Sequence, residues 1–172
     1  TVQGCGEVAI NEHIMAVLAQ IAASKECRER PSLLTICCDV TALLAFLPVG
    51  MYEAVHRRIV YSLLEFLTHP DTKLREQALN ALTQITICKE GKIQCLEYES
   101  TLEPIKDIVT REEEPISNKI HALRVITNIC ESPNGRDIFK ELLSYLLSKR
   151  ENISLVTNDT SSELTEEAKY YL

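Results

Sequence analysis

One phrase of the sequence occurs twice. Residues 78–92 read Ala-Leu-Asn-Ala-Leu-Thr-Gln-Ile-Thr-Ile-Cys-Lys-Glu-Gly-Lys, and 44 positions later residues 122–136 read Ala-Leu-Arg-Val-Ile-Thr-Asn-Ile-Cys-Glu-Ser-Pro-Asn-Gly-Arg. Ala-Leu opens both copies, Thr-(Gln/Asn)-Ile sits in the middle, and Gly followed by a base closes them. A recurrence at about 40–47 residues is the signature of units of two or three helices stacked in an array. One such unit cannot bury its apolar face alone, so neighbours bury it for one another. A weaker third copy is read at Ala16–Arg28. It sets Leu18, Gln20, Ile21, Lys25, Glu26 and Arg28 opposite Leu82, Gln84, Ile85, Lys89, Glu90 and Lys92.

The rest of the chain agrees with helices. It holds 5 Gly and 6 Pro in 172 residues, few turn signals for an all-β fold. Apolar residues recur three and four apart: Ile14, Val17, Leu18, Ile21 and Ala22; then Val55, Ile59, Leu63 and Phe66; then Leu74, Ala78, Leu82 and Ile85; then Ile116, Ile120, Leu123 and Ile126/Thr127. Pro31 suits a first helical turn, Asp39 is read as capping a second, shorter helix in the same run, and Asp71 is the N-cap expected before Thr72. Gly91 and Gly135 are expected to end helices in the left-handed conformation, with Lys92 and Arg136 near the helix C-termini. Glu112-Glu113-Glu114 reads as a solvated connector and Glu53–Arg57 as an intrahelical ion pair. The organisation expected is a repeat domain over 1–150, a polar linker over 151–162, and the start of a terminal helix over 163–172, whose Tyr170-Tyr171-Leu172 end is apolar.

Charge and cysteine usage exclude several functions. The net charge of -7 disfavours a nucleic-acid or anionic-membrane surface. No apolar run is long enough to span a bilayer, and the first residues lack the charged-then-apolar pattern of a secretory signal. The seven Cys are Cys5, Cys27, Cys37, Cys38, Cys88, Cys95 and Cys130. None forms Cys-x-x-Cys, and no Cys/His group has zinc-ligand spacing. Most fall at apolar helical positions, where Cys behaves as a small hydrophobe. They read as reduced thiols of an intracellular protein. The four His show no ligand spacing either. No metal and no cofactor is expected.

The phrase Ala-Leu-x-x-Ile-Thr-Asn-Ile-Cys around Asn128 resembles the third helix of an armadillo repeat. The armadillo/HEAT resemblance implies an all-α fold, a right-handed α-solenoid of about three to four repeats with a concave face. In that family the Asn of the phrase hydrogen-bonds the backbone of an extended partner. The matching positions are Gln20, Gln84 and Asn128, and the family's groove Trp, four residues earlier, falls at Ala16, Asn80 and Arg124. The chain has no Trp, a departure that puts peptide binding of the nuclear-import type in doubt. The partner-binding residues expected on the concave face are therefore Gln20, Asn80, Gln84, Arg124 and Asn128. Within the superfamily, residues 74–105 look similar to the armadillo-type subunit of the axonemal radial spoke, and the HEAT-type chaperone that assembles the proteasome base gives a loose match. The function expected is a non-enzymatic scaffold, cytoplasmic or axonemal, that binds a protein partner and neither nucleic acid nor membrane. The alternatives are an assembly chaperone and, from another class, a thiol-dependent enzyme or enzyme-regulatory subunit.

Overall fold

The computed structural model describes residues 13–97 and 102–156, with side chains to Lys149. Its described residues are helical with no strand. The helices are α1 (Ile14–Ala23), α2 (Pro31–Ala45), α3 (Pro48–His56), α4 (Ile59–Phe66), α5 (Thr72–Ile85), α6 (Lys89–Leu96), α7 (Glu103–Thr110), α8 (Ile116–Cys130) and α9 (Pro133–Val156), with a 3-10 turn at Glu26–Glu29. The architecture is an all-α solenoid in which long helices stack side by side. α5 lies between α2 and α8, and the shorter helices pack against this row. The expected linker begins inside α9, which carries helix through Val156. The remainder of 151–162, the segment 163–172 and Cys5 lie outside the described residues.

The stack explains why α5 is buried on two sides. Its expected stripe, Leu74, Ala78, Leu82 and Ile85, is buried, and so are Leu79 and Ala81. Asp71 caps the helix as expected, its Oδ1 accepting from the backbone N–H of Lys73 at 2.9 Å and Leu74 at 3.0 Å. The stripe read on α8 is rotated. Asn118, Ala122, Val125, Ile126 and Ile129 are buried, whereas Ile116 and Thr127 are exposed and Ile120 and Leu123 half-buried. α2 runs unbroken past Asp39, an exposed mid-helix residue. The run from Gly50 to Leu67 breaks instead at Arg58, which takes a left-handed φ of 57° between α3 and α4. The Glu53–Arg57 pair forms, at 3.4 Å.

The repeat has different bounds from those read in the sequence. α2, and not α1, packs against α5 as α5 packs against α8. α1 takes the place of α4 and α7, a short helix leading into the next long one. The third copy is therefore not Ala16–Arg28. It is α2 with the Leu47-Pro48-Val49-Gly50 turn that follows it, 41 residues before Cys88–Gly91.

These turns also correct the reading of the glycines. Gly50, Gly91 and Gly135 do not end helices; each is the third residue of the next one, and none has a positive φ. A Cβ on Gly91 would stand 2.2 Å from the carbonyl oxygen of Ile85, and one on Gly135 2.2 Å from that of Ile129. At these two joints glycine is required because consecutive helices cross backbone to backbone. There the N-cap residue completes the joint, whereas Leu47, before Gly50, makes no side-chain cap. Cys88 Sγ donates to Ile85 O at 3.3 Å and accepts from Gly91 N at 3.3 Å. Ser132 Oγ donates to Ile129 O at 2.9 Å and accepts from Gly135 N at 3.1 Å. Arg136 closes the end of α8 from outside, donating to Cys130 O at 3.0 Å and Glu131 O at 3.2 Å.

Glu114 is the largest departure from the sequence reading. It is not solvated: it is buried with Arg75 and Asn118. Arg75 grips it with two parallel bonds, Nε to Oε1 at 3.0 Å and Nη2 to Oε2 at 2.8 Å. Arg75 Nη1 donates to His69 O at 2.8 Å and Pro70 O at 3.0 Å. Asn118 Nδ2 donates to Glu114 Oε1 at 2.6 Å and to Thr72 O at 3.3 Å. The start of α5, the turn before it and the start of α8 are thus held in one network. Arg75→Met strands the buried carboxylate and is expected to cost about 3–5 kcal/mol in denaturant unfolding, with most of it recovered in Arg75→Met/Glu114→Leu, where both charges are gone. Cys88→Ser puts the better capping atom at that joint and should hold stability or raise it by up to about 1 kcal/mol in the same measurement.

Candidate protein-interaction face

Each long helix of the stack leaves one strip outside. On α2 and its C-cap the exposed positions Ser32, Ile36, Asp39, Leu43 and Phe46 follow at alternating steps of four and three, which keeps them on one face. The equivalent positions 41 residues on are Lys73, Gln77, Asn80, Gln84 and Ile87 of α5 and the turn after it. A further 44 residues on they are Ser117, His121, Arg124, Asn128 and Glu131 of α8 and its end. None of these fifteen residues is buried. Four of the five expected partner residues, Asn80, Gln84, Arg124 and Asn128, therefore fall on corresponding positions of two adjacent helices. Gln20 does not join them. It is exposed on α1, which packs on α2 and α4.

The chemistry changes along the row. On α2, Ile36 is 61% exposed, Leu43 66% and Phe46 76%, far outside the range of core side chains, and Ile87 beyond α5 is 56% exposed. The sequence reading did not single out these residues, because α2 is apolar all round and periodicity there selects no face. The matching Gly at position 50, which fixes the equivalence of α2 with α5, is the signal that identifies them. On α5 the row becomes amide. Asn80 and Gln84 are half-buried, and neither makes a side-chain hydrogen bond to a described residue. On α8 it carries Arg124 and Asn128. Asn128 spends both amide hydrogens inside the protein, on Thr83 O at 3.1 Å and Thr86 Oγ1 at 3.0 Å, so what it can offer outward is its carbonyl oxygen. His121 is held below its ordinary value by burial first and by the charge of Arg124 second, with Glu76 opposing. The ring is neutral at pH 7 and adds no charge to the row.

Cys37, Cys38, Cys95 and Cys130 have the opposite character to a nucleophile. A reactive Cys needs a lowered value. Burial pushes Cys37 up from 9.0 to about 11 and Cys95 up to about 12, and it raises Cys38 and Cys130 as well. Cys37 Sγ donates to Leu18 O at 3.3 Å, which joins α1 to α2. Among the described residues no group of three or more His, Cys, Asp or Glu could hold a metal ion, and no described helix is long and apolar enough to cross a membrane.

A family model described as the proteasome non-ATPase 26S subunit matches residues 12–157, most of the chain. No curated protein matches it. The match gives no support to the resemblance to the axonemal radial spoke, nor to a place in the cilium; it falls with the proteasome side of the sequence reading.

For the buried thiols the direction of linkage is fixed. A group whose folded value is raised stabilises the fold below its ordinary value and loses that contribution as pH rises through the folded one. The melting temperature should therefore fall as pH is raised from 9 towards 11. At pH 8 a maleimide should leave Cys37, Cys38 and Cys95 unmodified in the folded chain and modify all three in denaturant, read by mass spectrometry of peptides.

Proposed function

Because the chain belongs to the family of the proteasome non-ATPase 26S subunit, we propose that it is a non-enzymatic interaction scaffold that acts in the assembly of the proteasome. Its partner lies along the row that runs from Ile36, Leu43 and Phe46 through Asn80 and Gln84 to Arg124 and Asn128. The observation that carries this reading is the apolar strip of α2, three large side chains more than half exposed and continuous with unengaged amides on the next helix. Exposed apolar groups rimmed by polar ones mark protein contact surfaces.

The division of labour follows from side-chain chemistry. Ile36, Leu43 and Phe46 offer area to apolar side chains of the partner and release water when covered. Asn80 and Gln84 each carry a donor and an acceptor, the combination that an extended backbone satisfies. Arg124 on α8 and Lys73 on α5 add positive charge to a row that also carries Asp39 on α2 and Glu131 beyond α8, and charges of both signs restrict the orientation of a charged partner. Location in the cytoplasm follows from the same reading. A chaperone would be found on assembly precursors and absent from the finished particle, a resident scaffold on both.

The test uses purified proteasome subunits and intermediates as candidate partners. Leu43→Asp/Phe46→Asp is expected to weaken partner binding on the order of 30-fold, as loss of a central contact does, while Ile93→Asp on α6 leaves it unchanged. Asn80→Ala/Gln84→Ala should give a smaller loss. Full affinity in Leu43→Asp/Phe46→Asp would remove the reading.

A further inference from the structure

An open groove of about 500 Å³ lies between α3 and α6 and shares no residue with the row on α2, α5 and α8. One wall is α6 with its C-cap. Glu90, Gln94 and Glu97 follow there at steps of four and three, so they share a helical face, and all three line the groove. Ile93 stands beside them, 48% exposed. The other wall is α3. Its Tyr52 and His56 rings stack with centroids 6.2 Å apart and planes within 4° of parallel, and Tyr52 is 63% exposed.

Two features set this groove apart from the rest of the surface. Gln94 Nε2 donates to Val55 O at 2.7 Å, which ties the two walls together, but its buried Oε1 has no donor among the described residues. A buried acceptor left without a donor costs stability. Arg58, which also lines the groove, takes a left-handed φ of 57°, shared among the described non-glycine residues only by His13. Such strain persists where the surrounding structure imposes it, and it gathers at binding sites. The Arg58 guanidinium lies 5.9 Å from the centre of the Tyr61 ring, and Tyr61 Oη donates to Glu97. Glu90 makes no ion pair or side-chain hydrogen bond with a described residue. The groove thus sets two carboxylates and an amide oxygen against one guanidinium, opposite an open aromatic face.

We propose that the groove between α3 and α6 is a second contact site, which takes the arginine side chain of another protein. A guanidinium is planar: it stacks on an aromatic face and donates in its own plane to carboxylates. Tyr52 supplies the face, and Glu90, Gln94 and Glu97 supply acceptors along one line. Ile93 and Val55 cover the aliphatic stem. A lysine brings the charge without the plane, and an acidic side chain is repelled by Glu90 and Glu97. The net charge of -7 favours the approach of a basic partner segment.

The experiment titrates the full chain with N-acetyl-arginine amide and follows backbone amide signals by NMR. The signals of Ile93, Gln94 and Glu97 should move and saturate in the millimolar range, below about 100 mM. N-acetyl-citrulline amide has the same shape without the charge, and N-acetyl-lysine amide the charge without the plane; each should bind about threefold or more weakly. Glu90→Gln should weaken the arginine probe by about threefold, as loss of a partly exposed ion pair does. Glu113→Gln, the same charge change on an exposed connector, should leave it unchanged. Tyr52→Leu removes the ring from the other wall and serves as an independent second variant. Leu43→Asp/Phe46→Asp should bind the probe normally, so failure of this site and failure of the row are read apart. Equal binding of the citrulline probe, equal losses in Glu90→Gln and Glu113→Gln, or no saturable movement at the groove would overturn the proposal.

Discussion

The bidentate pair between Arg75 and Glu114 holds the stack in register. Both partners are buried, one at the start of α5 and the other in the turn that leads into α8. Burying two charges costs several kcal/mol per ion, and attraction offsets this only where geometry is good and the remaining polar atoms are satisfied. Here Arg75 also reaches two carbonyl oxygens of the preceding turn, and Asn118 adds a donor to the carboxylate. An apolar contact tolerates a slide of one helix along the other; this network does not. At the opposite end of α8, Asn128 holds Thr83 and Thr86. Pinned at both ends, α8 keeps Arg124 at a fixed distance from Asn80 and Gln84, and the outer row exists as a surface because of it.

The helix-to-helix joints supply the second constraint. At Ile85 and again at Ile129 one carbonyl oxygen receives the backbone N–H and the side chain of the following N-cap residue while a glycine passes over it. Cys88 serves in one joint and Ser132 in the other. The thiol there is a structural hydrogen-bonding group, in keeping with raised values at the buried thiols. The two units share this crossing, and a row of equivalent outer positions follows.

The outer row differs in chemistry while its geometry repeats. Ile36, Leu43 and Phe46 occupy places that Gln77, Gln84 and Ile87 take on the next unit and His121, Asn128 and Glu131 on the one after. A family of proteasome non-ATPase subunits and a surface graded from apolar to amide to charged fit a protein whose work is contact.

The sequence by itself determined the helical content, the Asp71 cap, the core stripe of α5, the Glu53–Arg57 pair and the existence of a repeat, because each follows from spacing within one or two turns or from a phrase long enough to match itself. It misplaced the first copy, since α1 and α2 are both apolar and local periodicity cannot say which of them meets α5. It placed Gly91 and Gly135 at helix ends, since a glycine needed for a left-handed turn and one needed for a close crossing look alike until the neighbouring backbone is present. The environment of Glu114, the face of α2 left to solvent and the inward use of the Asn128 amide were decided by tertiary structure alone. Burial, pairing and exposure are properties of what lies across a helix, and that neighbour is 39 to 46 residues away in the chain.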